Sequence, residues 1–114
     1  MKKLVYIVLF LMISINSFAQ KSEETAINSV NITKINASPN PFVAKTIINF
    51  YSSEKGTVTF IVQDLLGNVI KSENILLTAG KNTIPFYKNK LAAGIYIYTL
   101  KTKDKFISKR FVIK

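Results

Sequence analysis

Cysteine and histidine are both absent from the 114 residues. Without cysteine there is no disulfide, no thiol nucleophile and no thiolate metal site, so apolar burial alone must hold the fold. Without histidine the usual general base at neutral pH, the Ser–His pair and the common transition-metal ligand are missing together. Acidic residues are few: Glu23, Glu24, Glu54, Asp64, Glu73 and Asp104 are the whole set, scattered over turns and the N-terminal part. A glycosidase-like pair would need two carboxylates held about 5 to 10 Å apart across a cleft. Glycine occurs four times, at 56, 67, 80 and 94, with no GxGxxG or GxxxxGK spacing, so no phosphate-cradling loop is expected. These gaps predict a non-enzymatic chain with no catalytic residue, no metal and no cofactor.

The only long apolar run, Leu4 to Ile13, follows Met1-Lys2-Lys3 and precedes the small-residue exit Ser17-Phe18-Ala19. That order of charge, apolar stretch and exit predicts a secretory signal peptide over residues 1–19. Ten residues are too few to span a bilayer as a helix, which takes roughly 20. No cysteine follows to take a lipid, so export without lipidation is expected. Residues 20–29, including Glu23 and Glu24, read as a short polar lead-in, and residues 30–114 as one domain.

Basic residues dominate the charge. Setting Lys2 and Lys3 aside with the leader leaves 14 lysines and arginines against 6 acidic residues, a net charge of +8. The lysines are dispersed, and Arg110 is the one arginine. Nucleic-acid readers cluster Arg and Lys and interleave stacking aromatics, so no nucleic-acid partner is expected. A solvated basic surface accounts for the pattern, with attraction to an anionic cell envelope as the sharper alternative.

Short alternating segments separated by turn residues predict an all-β antiparallel sandwich of about seven strands. They run Val30–Ile35, Thr46–Tyr51, Thr57–Asp64, Val69–Leu77, Thr83–Tyr87, Ile95–Thr102 and Phe106–Ile113. Ile48 and Phe50 share one face; Val58, Phe60 and Val62 share another; Ile84 and Phe86 face inward. The polar stretch Lys71 to Asn74 makes Val69–Leu77 either one bulged strand or two shorter ones. Pro85 lacks an N–H and predicts an edge strand, while Pro39 and Pro41 cannot both lie in a central one. All four glycines are expected between strands, with Gly67 supplying positive φ in the Asp64–Asn68 turn. Leu91-Ala92-Ala93-Gly94-Ile95-Tyr96 predicts a tyrosine corner, the Tyr96 hydroxyl bonding back to the upstream backbone.

Taken in order, Pro39-Asn40-Pro41-Phe42, a Thr-x-Ile-x-Phe strand, Val58-x-Phe60-x-Val62-x-Asp64-x-x-Gly67-x-Val69, Gly80-x-Asn82, Leu91-x-x-Gly94-Ile95-Tyr96 and Lys109-Arg110-Phe111-Val112-Ile113-Lys114 resemble the type A C-terminal sorting domain of the type IX secretion system. The resemblance covers about residue 30 to 114. It implies an Ig-like sandwich that leaves the cell through the type IX translocon, with sortase-like components as further partners and the outer-membrane surface or the medium as destination. Pro39, Asn40, Pro41, Gly67, Gly80, Leu91, Gly94 and Tyr96 are the positions expected to define the fold. Lys109, Arg110, Phe111, Val112, Ile113 and Lys114 are expected to be read by the export machinery, since a terminal edge is what another protein can pair with. A monomer is expected. Members of that family carry a passenger ahead of the sorting domain, whereas here Gln20 to about Ser29 precedes it. The domain as product, a remnant of a longer gene and a short peptide cargo stay open. A stand-alone Ig-like binding or adhesion module is the alternative function, and an assembly subunit that lends an edge strand is the next.

Overall fold

The computed structural model describes residues 30–114; the expected signal peptide and nearly all of the lead-in lie outside them. Seven strands form: β1 (Ile32–Ser38), β2 (Lys45–Ser52), β3 (Gly56–Asp64), β4 (Val69–Leu77), β5 (Gly80–Tyr87), β6 (Gly94–Lys101) and β7 (Phe106–Ile113). They make two antiparallel sheets, ordered β1-β2-β5 and β4-β3-β6-β7. The expected all-β Ig-like sandwich is the fold, with the fourth strand beside the third rather than in the sheet of the first two, as constant-type Ig domains have it.

Alternation along each strand builds the core. Ile48 and Phe50 of β2, Val58, Phe60 and Val62 of β3, Ile84 and Phe86 of β5, and Tyr96, Tyr98 and Leu100 of β6 are all buried. Phe111 of β7 lies at the centre of an aromatic cluster. It stacks on Tyr98 at 5.3 Å and on Phe86 at 5.1 Å, and meets Phe42 edge-on at 5.3 Å. Such offset and edge-to-face pairs add to the stabilisation that area burial already gives. Among the described residues no buried side-chain N or O atom lacks a hydrogen-bond partner, as a core held only by burial requires.

Several boundaries differ from the expectations. β1 starts at Ile32 rather than Val30 and continues to Ser38. Its register slips between Thr33 and Asn36, and Lys34 takes φ of 54°. That bulge changes the inward phase from Ile32 to Ile35, which is why alternation fails to carry through the segment. β5 opens at Gly80, where a turn was expected, and pairs with β2 from Gly80↔Ser52 onward. The turn before it is tied by Asn82, whose side chain accepts from Thr78 N and donates to Thr78 O. Of the glycines only Gly67, with φ of 90°, lies in a turn; Gly56, Gly80 and Gly94 each begin a strand. Gly56 is needed for another reason, since a Cβ there would meet Val30 Cγ2 at 2.7 Å.

Other expectations hold. β4 is a single strand, and its register shift falls where Gln63 pairs Val69 and Val62 pairs Lys71, so the polar stretch 71–74 stays in register along an edge. β5 is an edge strand carrying Pro85. Tyr96 closes the tyrosine corner, its hydroxyl donating to Ala92 O at 2.7 Å across the passage from β5 to β6.

Candidate functional site

β7 is the closing strand and an edge of its sheet, paired with β6 from Lys101↔Phe106 to Gly94↔Ile113. Period-two alternation divides the six expected recognition residues between two faces. Phe111 and Ile113 are buried in the core. Arg110 and Lys114 are exposed and Val112 is half-buried on the opposite face. Lys109 shares their parity but is itself exposed, and its ammonium donates to Ile35 O at 2.8 Å. That carbonyl belongs to the β1 bulge, where the β1–β2 ladder is interrupted. The lysine therefore satisfies a backbone acceptor that the bulge displaces from the ladder.

In an antiparallel strand alternate residues turn both N–H and C=O to the same side. On β7 the even-numbered residues face away from β6. The Pro39-Asn40-Pro41-Phe42 segment occupies part of that outer side. Asn40 Oδ1 accepts from Val112 N at 2.9 Å, and Asn40 Nδ2 donates to Arg110 O at 3.4 Å. One residue on from Pro41, Phe42 N donates to Val112 O at 3.0 Å and Phe42 O accepts from Lys114 N at 2.9 Å, a short parallel bridge. The Phe42 ring is buried beside Phe111. Pro39 contributes its carbonyl, which accepts from the buried Thr46 hydroxyl at 2.7 Å. The segment is a clasp: Asn40, between two prolines that lack N–H groups, substitutes its side chain for a strand.

The clasp covers β7 only from Arg110 O onward. Before it, the outer edge at Phe106 and Ser108 has no partner among the described residues beyond β6. The Phe106 ring is exposed under the Lys101 ammonium, 5.2 Å from its centroid, and Ser108 Oγ meets Thr99 Oγ1 at 2.8 Å. A shallow depression beside this stretch is lined by Ile97, Ser108, Lys109 and Arg110. Residue types in the tail pointed to Lys109–Lys114; the open edge at 106–110 carries no sequence signal, because it is defined by where the clasp stops. The β6–β7 turn lacks the glycine often found there, yet no residue in it has positive φ. It closes through Thr102 N to Lys105 O at 2.9 Å.

The remaining motif residues lie away from this edge. Gly67 sits in the β3–β4 turn, which Asp64 organises: its carboxylate accepts from Leu66 N, Asn68 N and the Asn68 amide. Those bonds, the Asn68 side chain first, hold the Asp64 carboxyl below its ordinary value. Tyr98 shifts the other way, its phenol pushed up by burial. Gly80 begins β5, while Gly94 and Leu91 flank the tyrosine corner. No group of three or more metal-ligating side chains occurs among the described residues.

Comparison with known proteins gives two kinds of result. No curated protein matches the sequence. Among solved structures, parts of two β-glucosidases are similar. One is from Erythrobacter marinus, with 10% identity, a TM-score of 0.47, and coverage of 75% of this chain and 15% of that one. The other is from Kluyveromyces marxianus, with 16% identity, a TM-score of 0.40, and coverage of 75% and 14%. The chain thus spans a small part of either enzyme, and scores this low carry no argument. The family described as the secretion system C-terminal sorting domain matches residues 36–114, which takes in the clasp, the tyrosine corner and all of β7. A sorting domain is a signal and not a catalyst. With most of the chain and every part of the clasp inside that match, the protein belongs to the C-terminal sorting domain family of type IX secretion.

Proposed function

We propose that residues 30–114 act as a folded address tag, read by the type IX export apparatus, that carries the chain across the outer membrane to the cell surface or the medium. The observation that carries this reading is the family match over residues 36–114. Within the tag, the surface offered to the machinery is the outer side of β7: the open backbone of Phe106 and Ser108, with the Arg110 and Lys114 side chains. A partly unpaired edge beside exposed cations supports that choice, because an extended partner can add to it through main-chain hydrogen bonds. Phe111 and Ile113 act through folding, and Lys109 acts through the β1 bulge.

The test is a periplasm-exported reporter fused ahead of the chain in a host with this secretion system. Arg110→Glu with Lys114→Glu, and separately Ser108→Pro, are expected to cut surface delivery while circular dichroism stays native. Proline at 108 removes an N–H that faces away from β6, so the ladder to β6 is kept. Delivery unchanged in both variants would rule out this edge as the recognition surface. Delivery unchanged after deletion of the whole domain would rule out the sorting role itself.

A further inference from the structure

Ten large apolar side chains stand exposed among the described residues, and seven of them gather at one end of the sandwich. Four are on the β3–β4 turn and its exit: Leu65, Leu66, Val69 and Ile70. Tyr87, Ile95 and Val43 stand on the neighbouring connections. Registers place them at the same end: in one sheet Asp64 pairs with Tyr96, next to Ile95, and in the other Tyr87 pairs with Lys45, two residues from Val43. A groove of about 680 Å³ joins Ile70 to Tyr87 and Leu91.

The turn that carries the leucines is rigidly built. Besides the three bonds to the Asp64 carboxylate, Asp64 N donates to Asn68 O, Gly67 N donates to Asp64 O, and Gln63 Nε2 donates to Gly67 O. None of these bonds uses a leucine side chain, and Leu66 is 89% exposed. Folding would be served as well by polar residues at 65 and 66. An apolar patch that folding does not require marks a contact with something else.

The charge at this end says what. Lys45, Lys71, Lys88 and Lys90 stand at this end, and the Lys45 ammonium lies 5.8 Å from the Tyr87 ring centroid. Lys71 and Lys90 line the groove itself. Two acidic groups are near: Asp64, whose carboxylate is engaged by its own turn, and Glu73, which pairs with Lys71 at 3.4 Å. Glu54 and Asp104 lie in the turns of the opposite end. Apolar tips on separate loops, a tyrosine and a lysine collar form the pattern of a surface that enters the headgroup region of an anionic bilayer.

We infer that this end of the sandwich docks on anionic phospholipid membrane, seating Leu65 and Leu66 among the headgroups. The inference goes beyond the sorting role and does not depend on the β7 edge. The test uses the chain purified from the periplasm after export, mixed with vesicles of phosphatidylglycerol and phosphatidylethanolamine in equal parts, or of phosphatidylcholine alone. Binding to the anionic vesicles is expected to fall about tenfold or more in Leu65→Ser with Leu66→Ser. It should fall about fivefold for each of Lys88→Gln and Lys90→Gln at low salt. The double leucine variant shares the wild-type N-terminus, so the difference reports the tip. Leu66→Trp should show a blue-shifted emission on anionic vesicles and none on phosphatidylcholine. Equal binding by wild type and the double leucine variant, or an unshifted tryptophan, would overturn the proposal. Loss of export in the leucine variant without any vesicle binding by wild type would do the same, and would place the tip on a protein surface.

Discussion

Lys109 and Arg110 are adjacent basic residues with opposite duties. Both are exposed, but the Lys109 ammonium is bonded to Ile35 O in the β1 bulge, whereas the Arg110 side chain has no hydrogen-bond partner among the described residues. Lys109→Met should leave that carbonyl short of its partner and lower unfolding stability by about 1–2 kcal/mol. Arg110→Gln should change it by no more than about 0.5 kcal/mol. Urea denaturation of the two variants separates them, and equal effects would contradict the assignment. Asp64 gives a pH prediction. Because its carboxyl is held below the ordinary value, the ionised form is favoured by the folded turn. Its contribution is complete above about pH 4 and is lost as pH falls further, through the lowered folded value. The Leu66 and Asn68 amide resonances should thus be constant down to about pH 4 and move below it. A midpoint at or above the ordinary carboxylate value would contradict it.

At the scale of elements, the clasp makes β7 a strand of two halves. Val112 and Lys114 amides are bonded on the outer side, while Ser108 has no partner there among the described residues. Hydrogen exchange should be slow at the first pair and fast at Ser108. Asn40→Ala should bring Val112 toward the Ser108 rate and cost about 1–2 kcal/mol; an unchanged Val112 would show that Asn40 does not guard the edge. Much of the element pattern is legible in the sequence because alternation survives wherever pairing is regular, as in Val58, Phe60 and Val62. It fails in β1, where one inserted residue at the bulge reverses the face of everything after it. Gly80-Lys81-Asn82 reads as a turn because its composition is polar, yet its backbone pairs with the end of β2. The tyrosine corner is legible, since its partners lie four residues apart; the clasp is not, since Asn40 and Val112 are 72 residues apart and their bond joins a side chain to a backbone.

For the molecule as a whole, one core serves both sheets, and Phe111 joins them by touching Phe42 and Phe86 on one side and Tyr98 on the other. Phe111→Ala should cost about 3–5 kcal/mol, a large share of the roughly 5–15 kcal/mol that a domain of this class possesses. Thermal melting should show the transition shifted far down or lost, and a shift of only a few degrees would show that the cluster matters less than its geometry suggests. Removing the segment after Ser108 would therefore abolish the folded state along with any surface it presents, which is why charge reversal at Arg110 and Lys114 is the more telling change. The same dependence has a meaning during synthesis. A ribosome delivers Asn40 and Phe42 long before Phe111 and Ile113, so the early half waits with its pairing unfinished. A product broken off before Phe111 cannot complete the sandwich, so a finished fold certifies that translation ran at least as far as Ile113.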